Sequence, residues 1–122
     1  MEFFEEMKTL GMDVEEGLDR MVGNAALYER MLAKFADMLD ETPVTDDFHD
    51  GDCEEVTRCI HALKGAAGNL SIRPLYDAYT EIVNLLRAGE ISQAKNEIRR
   101  ILPTQERIVE CIRRHGQEGQ AE

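Results

Sequence analysis

The sequence predicts an all-α fold, an antiparallel up-down-up-down four-helix bundle with short additional helices at its amino terminus. Three observations predict it. Apolar residues recur at helical spacing through most of the chain, all but one of the connections are short, and no segment alternates with the two-residue period of a strand. At 122 residues with 43% hydrophobic content, the chain suits one domain built on a modest single core. Residues 1–122 read as that domain, with 13–115 as its packed part and 116–122 as a polar tail without periodicity.

Phe3, Phe4, Met7 and Leu10 predict a short first helix stopped by Gly11. Asp13, with Glu16 three residues on, forms a capping-box-like start for a second short helix, whose inner face is Leu18 and Met21 and whose end is Gly23. Asn24 caps the first long helix. There Leu27, Met31, Phe35 and Met38 recur at nearly i+4, and Tyr28, Leu32 and Leu39 widen the stripe until Thr42-Pro43 ends it. This Met-rich stripe reads as core, with its edge residues available to a partner-facing surface. Val44 to Gly51 is the one long loop, and it is acidic.

Asp52 with Glu55 repeats the cap signal and opens a helix ending near Leu70. Pro74, at a first-turn position, starts the next, which carries Leu75, Ala78, Tyr79, Ile82, Leu85 and Leu86 to a stop at Gly89. The last helix runs from about Ser92 to His115, with Ala94, Ile98, Ile101, Leu102, Ile108, Val109 and Ile112 inward. Pro103 lies inside it and removes the bond to the carbonyl of Arg99, which predicts a kink rather than a break.

The most informative stretch is His61-Ala62-Leu63-Lys64-Gly65-Ala66-Ala67-Gly68. At 3.6 residues per turn, Cys53, Val56, Ile60, Leu63 and Ala67 form an apolar stripe, and His61, Lys64, Gly65 and Gly68 form a second stripe beside it. A glycine in a helix interior costs about 1 kcal/mol relative to alanine. Two of them, four and seven residues after a histidine, therefore need a reason, and bare backbone leaves the imidazole of His61 open to another molecule. The pattern His-x-x-Lys-Gly, with small residues continuing to Gly68 and then Leu70, resembles the histidine-containing phosphotransfer (HPt) domain of two-component phosphorelays.

The motif covers about a tenth of the chain, and the likeness in helix order extends over most of residues 13–115. The resemblance implies that His61 takes a phosphoryl group from an aspartyl phosphate on a receiver domain and passes it to another. It matches Lys64 to the lysine beside the histidine and Gly65 to the glycine that clears space. The chemistry agrees. Free imidazole titrates near pH 6.5, so a neutral ring is an available nucleophile. The ammonium of Lys64, one turn along, would offset charge gathering on the transferring phosphoryl oxygens. Taken singly, a surface histidine or lysine is simply solvated. The docking surface expected around His61 comprises Glu54, Thr57, Arg58, Lys64, Gly65, Gly68 and Asn69, with edge residues of the preceding helix.

A net charge of −11 argues against a nucleic-acid partner. The charge is uneven: residues 1–50 carry 14 acidic and 4 basic side chains, and residues 51–122 carry 11 and 10. The half containing His61 is thus nearly neutral, which would hinder an acidic phosphoprotein less. Cys53, Cys59 and Cys111 include no C-x-x-C pair or zinc spacing, which suits a reducing cytosol. The amino terminus lacks a signal-peptide pattern and no run is long enough for a bilayer, so the expected location is cytoplasmic, without membrane contact.

None of His49, His61 and His115 follows a glutamate by three residues, so a di-iron bundle is not expected, and the protein itself is read as holding no metal or cofactor. His49 and His115 read as structural. There is no G-x-x-x-x-G-K-[ST] loop, so this chain is not expected to charge His61 from ATP and needs a donor; the resemblance implies a phosphoryl carrier rather than an enzyme. By the resemblance, the partners are a response-regulator receiver domain, which supplies the aspartate and Mg²⁺, and a histidine kinase or hybrid kinase. A monomer is expected. Two alternatives stand beside this reading: the phosphoacceptor domain of a chemotaxis-type kinase, which Met1 and the free-standing length disfavour, and a non-phosphorylated helical adaptor.

Overall fold

The computed structural model describes residues 2–42 and 44–121, with side chains as far as Gly116. Six helices follow in order: α1 (Phe3–Thr9), α2 (Val14–Arg20), α3 (Ala25–Glu41), α4 (Cys53–Asn69), α5 (Arg73–Arg87) and α6 (Ile91–Ala121). A single 3₁₀ turn, Asp50–Asp52, precedes α4. Helix α4 packs on α5, α5 on α6, and α3 closes the ring against both α6 and α4. Short connections at 70–72 and 88–90 force the joined neighbours to run antiparallel. This is the expected up-down-up-down bundle, and α1 and α2 pack on its outside against α6 and α3.

The helix starts follow from local chemistry. The Asp13 carboxylate accepts the Glu16 N–H at 3.1 Å, and the Asn24 side-chain Oδ1 accepts the Leu27 N–H at 3.0 Å. Asp52 does not cap α4 in this way. It sits at φ −97°, ψ 3° at the end of the 3₁₀ turn, and no side-chain bond is made there. An N-cap side chain reaches back only from an extended backbone, so entering the helix through a tight turn removes the geometry.

Four helices end in one device. In α1, α2, α4 and α5 the third residue past the helix donates its N–H back to the third-from-last carbonyl, as Gly23 does to Leu18 (2.8 Å) and Ile72 to Ala67 (3.0 Å). The motif requires a left-handed residue in between. Gly11 and Gly89 fill that position in α1 and α5, but Val22 (φ 55°) and Ser71 (φ 56°) fill it in α2 and α4.

The core contains Leu32, Phe35 and Ala36 of α3, Ile60, Leu63 and Ala67 of α4, Leu75, Tyr79 and Ile82 of α5, and Ile98, Ile101 and Ile108 of α6. Burying each large apolar side chain stabilises the fold by about 1.5–3 kcal/mol. The Met run of α3 is not its centre. Tyr28, Leu32, Phe35, Ala36 and Leu39 are buried, while Leu27, Met31 and Met38 are half-buried along one edge. Apolar residues cover about half of this helix, and the bundle axis falls on the aromatic side of that arc. In α2 the buried positions are Val14 and Gly17, with Leu18 and Met21 half-buried.

Gly17 lies under Tyr28. A Cβ there would be 2.5 Å from Tyr28 Cζ, and the Tyr28 hydroxyl donates to the Leu70 carbonyl at 2.7 Å. Burial pushes the Tyr28 phenol up to about 12, so it remains a donor. The same corner is closed by the Asp13 N–H on the Ser71 carbonyl (3.1 Å), the Ser71 hydroxyl on Glu16 (2.8 Å) and Arg73 on Glu16 (2.8 Å). α2 thereby fastens the end of α4 to α3 and α5.

The acidic loop is also fastened. Phe48 is buried, the Lys95 ammonium stands 4.7 Å from its ring centre and donates to its carbonyl at 2.9 Å, and Arg99 holds Asp46 at 2.5 Å. One expectation at the carboxy terminus is corrected. α6 runs through Pro103 without a break, as expected, but it continues past His115 to Ala121, where a tail was expected. Once a long helix exists, each further turn propagates at little cost. His115 therefore sits inside α6 rather than in its last turn. Its ring stacks on Phe3 at 3.9 Å, and its Nε2 lies 3.1 Å from Glu29.

Candidate functional site

Residues of α4 that do not face the core form an outer surface bearing His61, Gly65 and Asn69, all exposed. His61 makes no hydrogen bond or ion pair among the described residues. A Cβ at Gly65 would meet no atom within 4 Å, so the space one turn from the imidazole is open on this side.

The expected site residues divide between two adjoining grooves. In the first, His61 is joined by Glu54, Thr57 and Arg58 of α4, with Leu86 and Arg87 from the end of α5. In the second, Lys64, Gly65, Gly68 and Asn69 face Glu16 and Arg20 of α2 and Tyr76 and Asp77 of α5. Lys64 is half-buried, on the side of α4 that turns toward α5. Gly68 has a different setting from Gly65: a Cβ there would lie 3.0 Å from the ring of Tyr76. The Thr57 hydroxyl is already used, donating to the Cys53 carbonyl at 2.6 Å.

Charge sorts the cations. Arg58 donates to Glu55, which holds the Glu55 carboxyl below the usual carboxylate range and raises Arg58. Arg20 and Arg73 are likewise paired with Glu16, at 3.7 Å and 2.8 Å. Among the described residues Lys64 and Arg87 have no ion pair, so both charges are available to an arriving anion. Arg87 escaped the sequence reading. The signal lay in the three-residue connection 70–72, which sets the antiparallel register and brings the last turn of α5 to the height of residues 53–61. Burial, reinforced by Glu55, pushes the Cys59 thiol up, which keeps it protonated beside this surface.

A third groove lies on the other flank of α4, where Met31, Lys34, Phe35 and Met38 of α3 meet Ala66, Asn69 and Leu70. Asn69 borders both this groove and that of Lys64. His49 is exposed in the loop before the 3₁₀ turn, and His115 is engaged by Phe3 and Glu29, so neither belongs to the α4 surface. Among the described residues no group of three or more His, Cys, Asp or Glu side chains could hold a metal ion, and no helix is long and apolar enough to cross a membrane.

A protein-family model described as Hpt domain matches residues 2–114. The chain belongs to the Hpt domain family. Hpt domains are phosphocarriers of phosphorelays without a catalytic site of their own, and they interact with receiver domains and kinases. The match covers all of α1–α5 and α6 as far as Arg114, so the short amino-terminal helices lie within the Hpt unit. The comparison with curated proteins and that with solved structures each give no match.

Proposed function

We propose that this Hpt protein carries its phosphoryl group on His61, receiving it from the aspartyl phosphate of one receiver domain and passing it to another. An unprotonated ring nitrogen of His61 forms the N–P bond as the P–O bond to the aspartate breaks, and the aspartate leaves as a carboxylate. The return step reverses this with a second receiver. Lys64 and Arg87 offset charge on the phosphoryl oxygens, and Gly65 leaves room for the receiver's loops. Any Mg²⁺ belongs to the receiver, whose own carboxylates hold it.

One observation carries the reading: an exposed imidazole without a bonding partner, on a helix fastened at its far end, beside a glycine with open space around it. Such a group is accessible and yet held in a fixed place, as in-line transfer requires. The partner surface extends from Glu54, Thr57 and Arg58 past His61 to Gly68 and Asn69, and on to Met31 and Met38. The half-buried methionines offer an adaptable apolar contact. The free thiols of Cys53 and Cys59 support a reducing compartment, the cytoplasm.

The test is incubation of the full chain with a receiver carrying labelled aspartyl phosphate. The native protein is expected to gain acid-labile label that His61→Gln does not, while His49→Gln and His115→Gln retain it. Equal labelling of His61→Gln would overturn the proposal.

A further inference from the structure

Gly68 and Tyr76 make a contact that phosphoryl transfer itself does not use. A Cβ on residue 68 would lie 3.0 Å from Cδ2 and 3.1 Å from Cε2 of the tyrosine, so the ring rests against bare backbone of α4. At that distance an alanine methyl would push the ring off its seat by a few tenths of an ångström. Tyr76 nevertheless keeps 39% of its surface exposed, and Val22 is the other large apolar side chain so exposed among the described residues. Its ring walls the groove that contains Lys64 and Gly65, with Arg20 and Arg73 on the same rim.

We infer that Tyr76 is a specificity-determining contact for the receiver domain that exchanges phosphoryl groups with this chain, and that Gly68 is the residue positioning it. The inference rests on the phosphotransfer reading above. A tyrosine already braced on a helix backbone loses little side-chain freedom when a partner arrives. Its apolar face and polar tip suit the centre of a transient interface, where tyrosine is enriched among the residues that dominate affinity. Arg20 and Arg73 are held by Glu16, so the charge this groove offers a receiver's carboxylates is that of Lys64, which has no ion pair among the described residues. Within the motif, Gly65 and Gly68 then do different things: one clears space at the histidine, the other seats an aromatic contact about two turns from it.

The experiment measures transfer from a labelled phospho-receiver over a range of receiver concentrations. Tyr76→Ala is expected to raise KM about tenfold with the rate at saturation unchanged, because a docking contact acts on binding rather than on the step at phosphorus. Tyr76→Phe keeps the ring and stays within about twofold of the native KM. Gly68→Ala raises KM by a similar factor and adds nothing in the Tyr76→Ala background. A native KM for Tyr76→Ala, or a loss confined to the saturated rate, would overturn the inference. If Gly68→Ala does not fold, Tyr76→Ala and Tyr76→Phe decide alone. His61→Gln is run alongside: normal labelling of that variant sinks the phosphotransfer reading, whereas a dead His61→Gln with native KM for Tyr76→Ala sinks only the present inference.

Discussion

The two ends of the motif on α4 are built oppositely. Around His61 and Gly65 the helix surface is bare, with no bonding partner on the imidazole and no atom within 4 Å of where a Gly65 Cβ would stand. From Gly68 to Ser71 nearly every group is engaged: Tyr76 rests on Gly68, Tyr28 bonds the Leu70 carbonyl, and α2 bonds Ser71 through both its main chain and its hydroxyl. The difference shows how a carrier meets two conflicting demands. The nucleophile must be unencumbered, while its helix must not move, because misplacing reacting groups by about 1 Å can cost two orders of magnitude in rate. The open end meets the first demand and the fastened end the second.

Substitutions should therefore separate into those that change transfer and those that change stability. The largest stability effect is expected at the fastened end. Gly17→Ala drives a methyl into the buried ring of Tyr28 and breaks its bond to Leu70, so unfolding free energy should fall by about 3 kcal/mol, overpacking plus one lost hydrogen bond. An unchanged urea midpoint would show that Tyr28 can yield.

At the open end, Gly65→Gln should slow transfer about thirtyfold, roughly 2 kcal/mol, by filling the space beside His61. Stability should stay level or rise by up to about 1 kcal/mol, because a helix-interior glycine is removed. A native rate in stopped-flow transfer would refute the open-space role. Lys64→Ala should slow transfer about tenfold, or ~1.4 kcal/mol, with an unchanged melting curve. No kinetic effect would assign the supporting charge elsewhere, with Arg87 the next candidate. The smallest effect belongs to the turn after α2. Val22 is 93% exposed and left-handed at φ 55°, so Val22→Gly should relieve strain and stabilise by about 1 kcal/mol without touching transfer. A destabilised variant would show that its side chain has a role in the fold.

The same division explains what could be read from the chain alone. Asp13, Asn24, Gly11 and Gly89 mark helix ends through bonds to residues within a few positions, and those ends fall where expected. Val22 and Ser71 do not look like left-handed residues: Ser71 is held there by the fastened corner, and Val22 by the turn that closes on the Gly23 N–H to Leu18 carbonyl bond. Gly17 depends on a ring eleven residues away, and the buried Gln105 depends on Tyr79, whose hydroxyl it accepts at 2.5 Å from another helix. Phe48 was hidden in a loop whose polarity masked its burial under Lys95.

At the site, the grouping of His61, Lys64 and Gly65 on the outer side of α4 was legible as spacing on one helix. The setting of Gly68 was not, since the atoms that define it belong to Tyr76 on α5. Arg87 and the split into two grooves were hidden for the same reason: they follow from how α5 lies against α4.

The most direct test of the account is to locate the phosphate. Peptide mapping under alkaline conditions, after transfer from a phosphorylated receiver, should place one acid-labile phosphoryl group on the peptide containing His61. Label on His49, on His115 or on no histidine, with the chain folded, would contradict it.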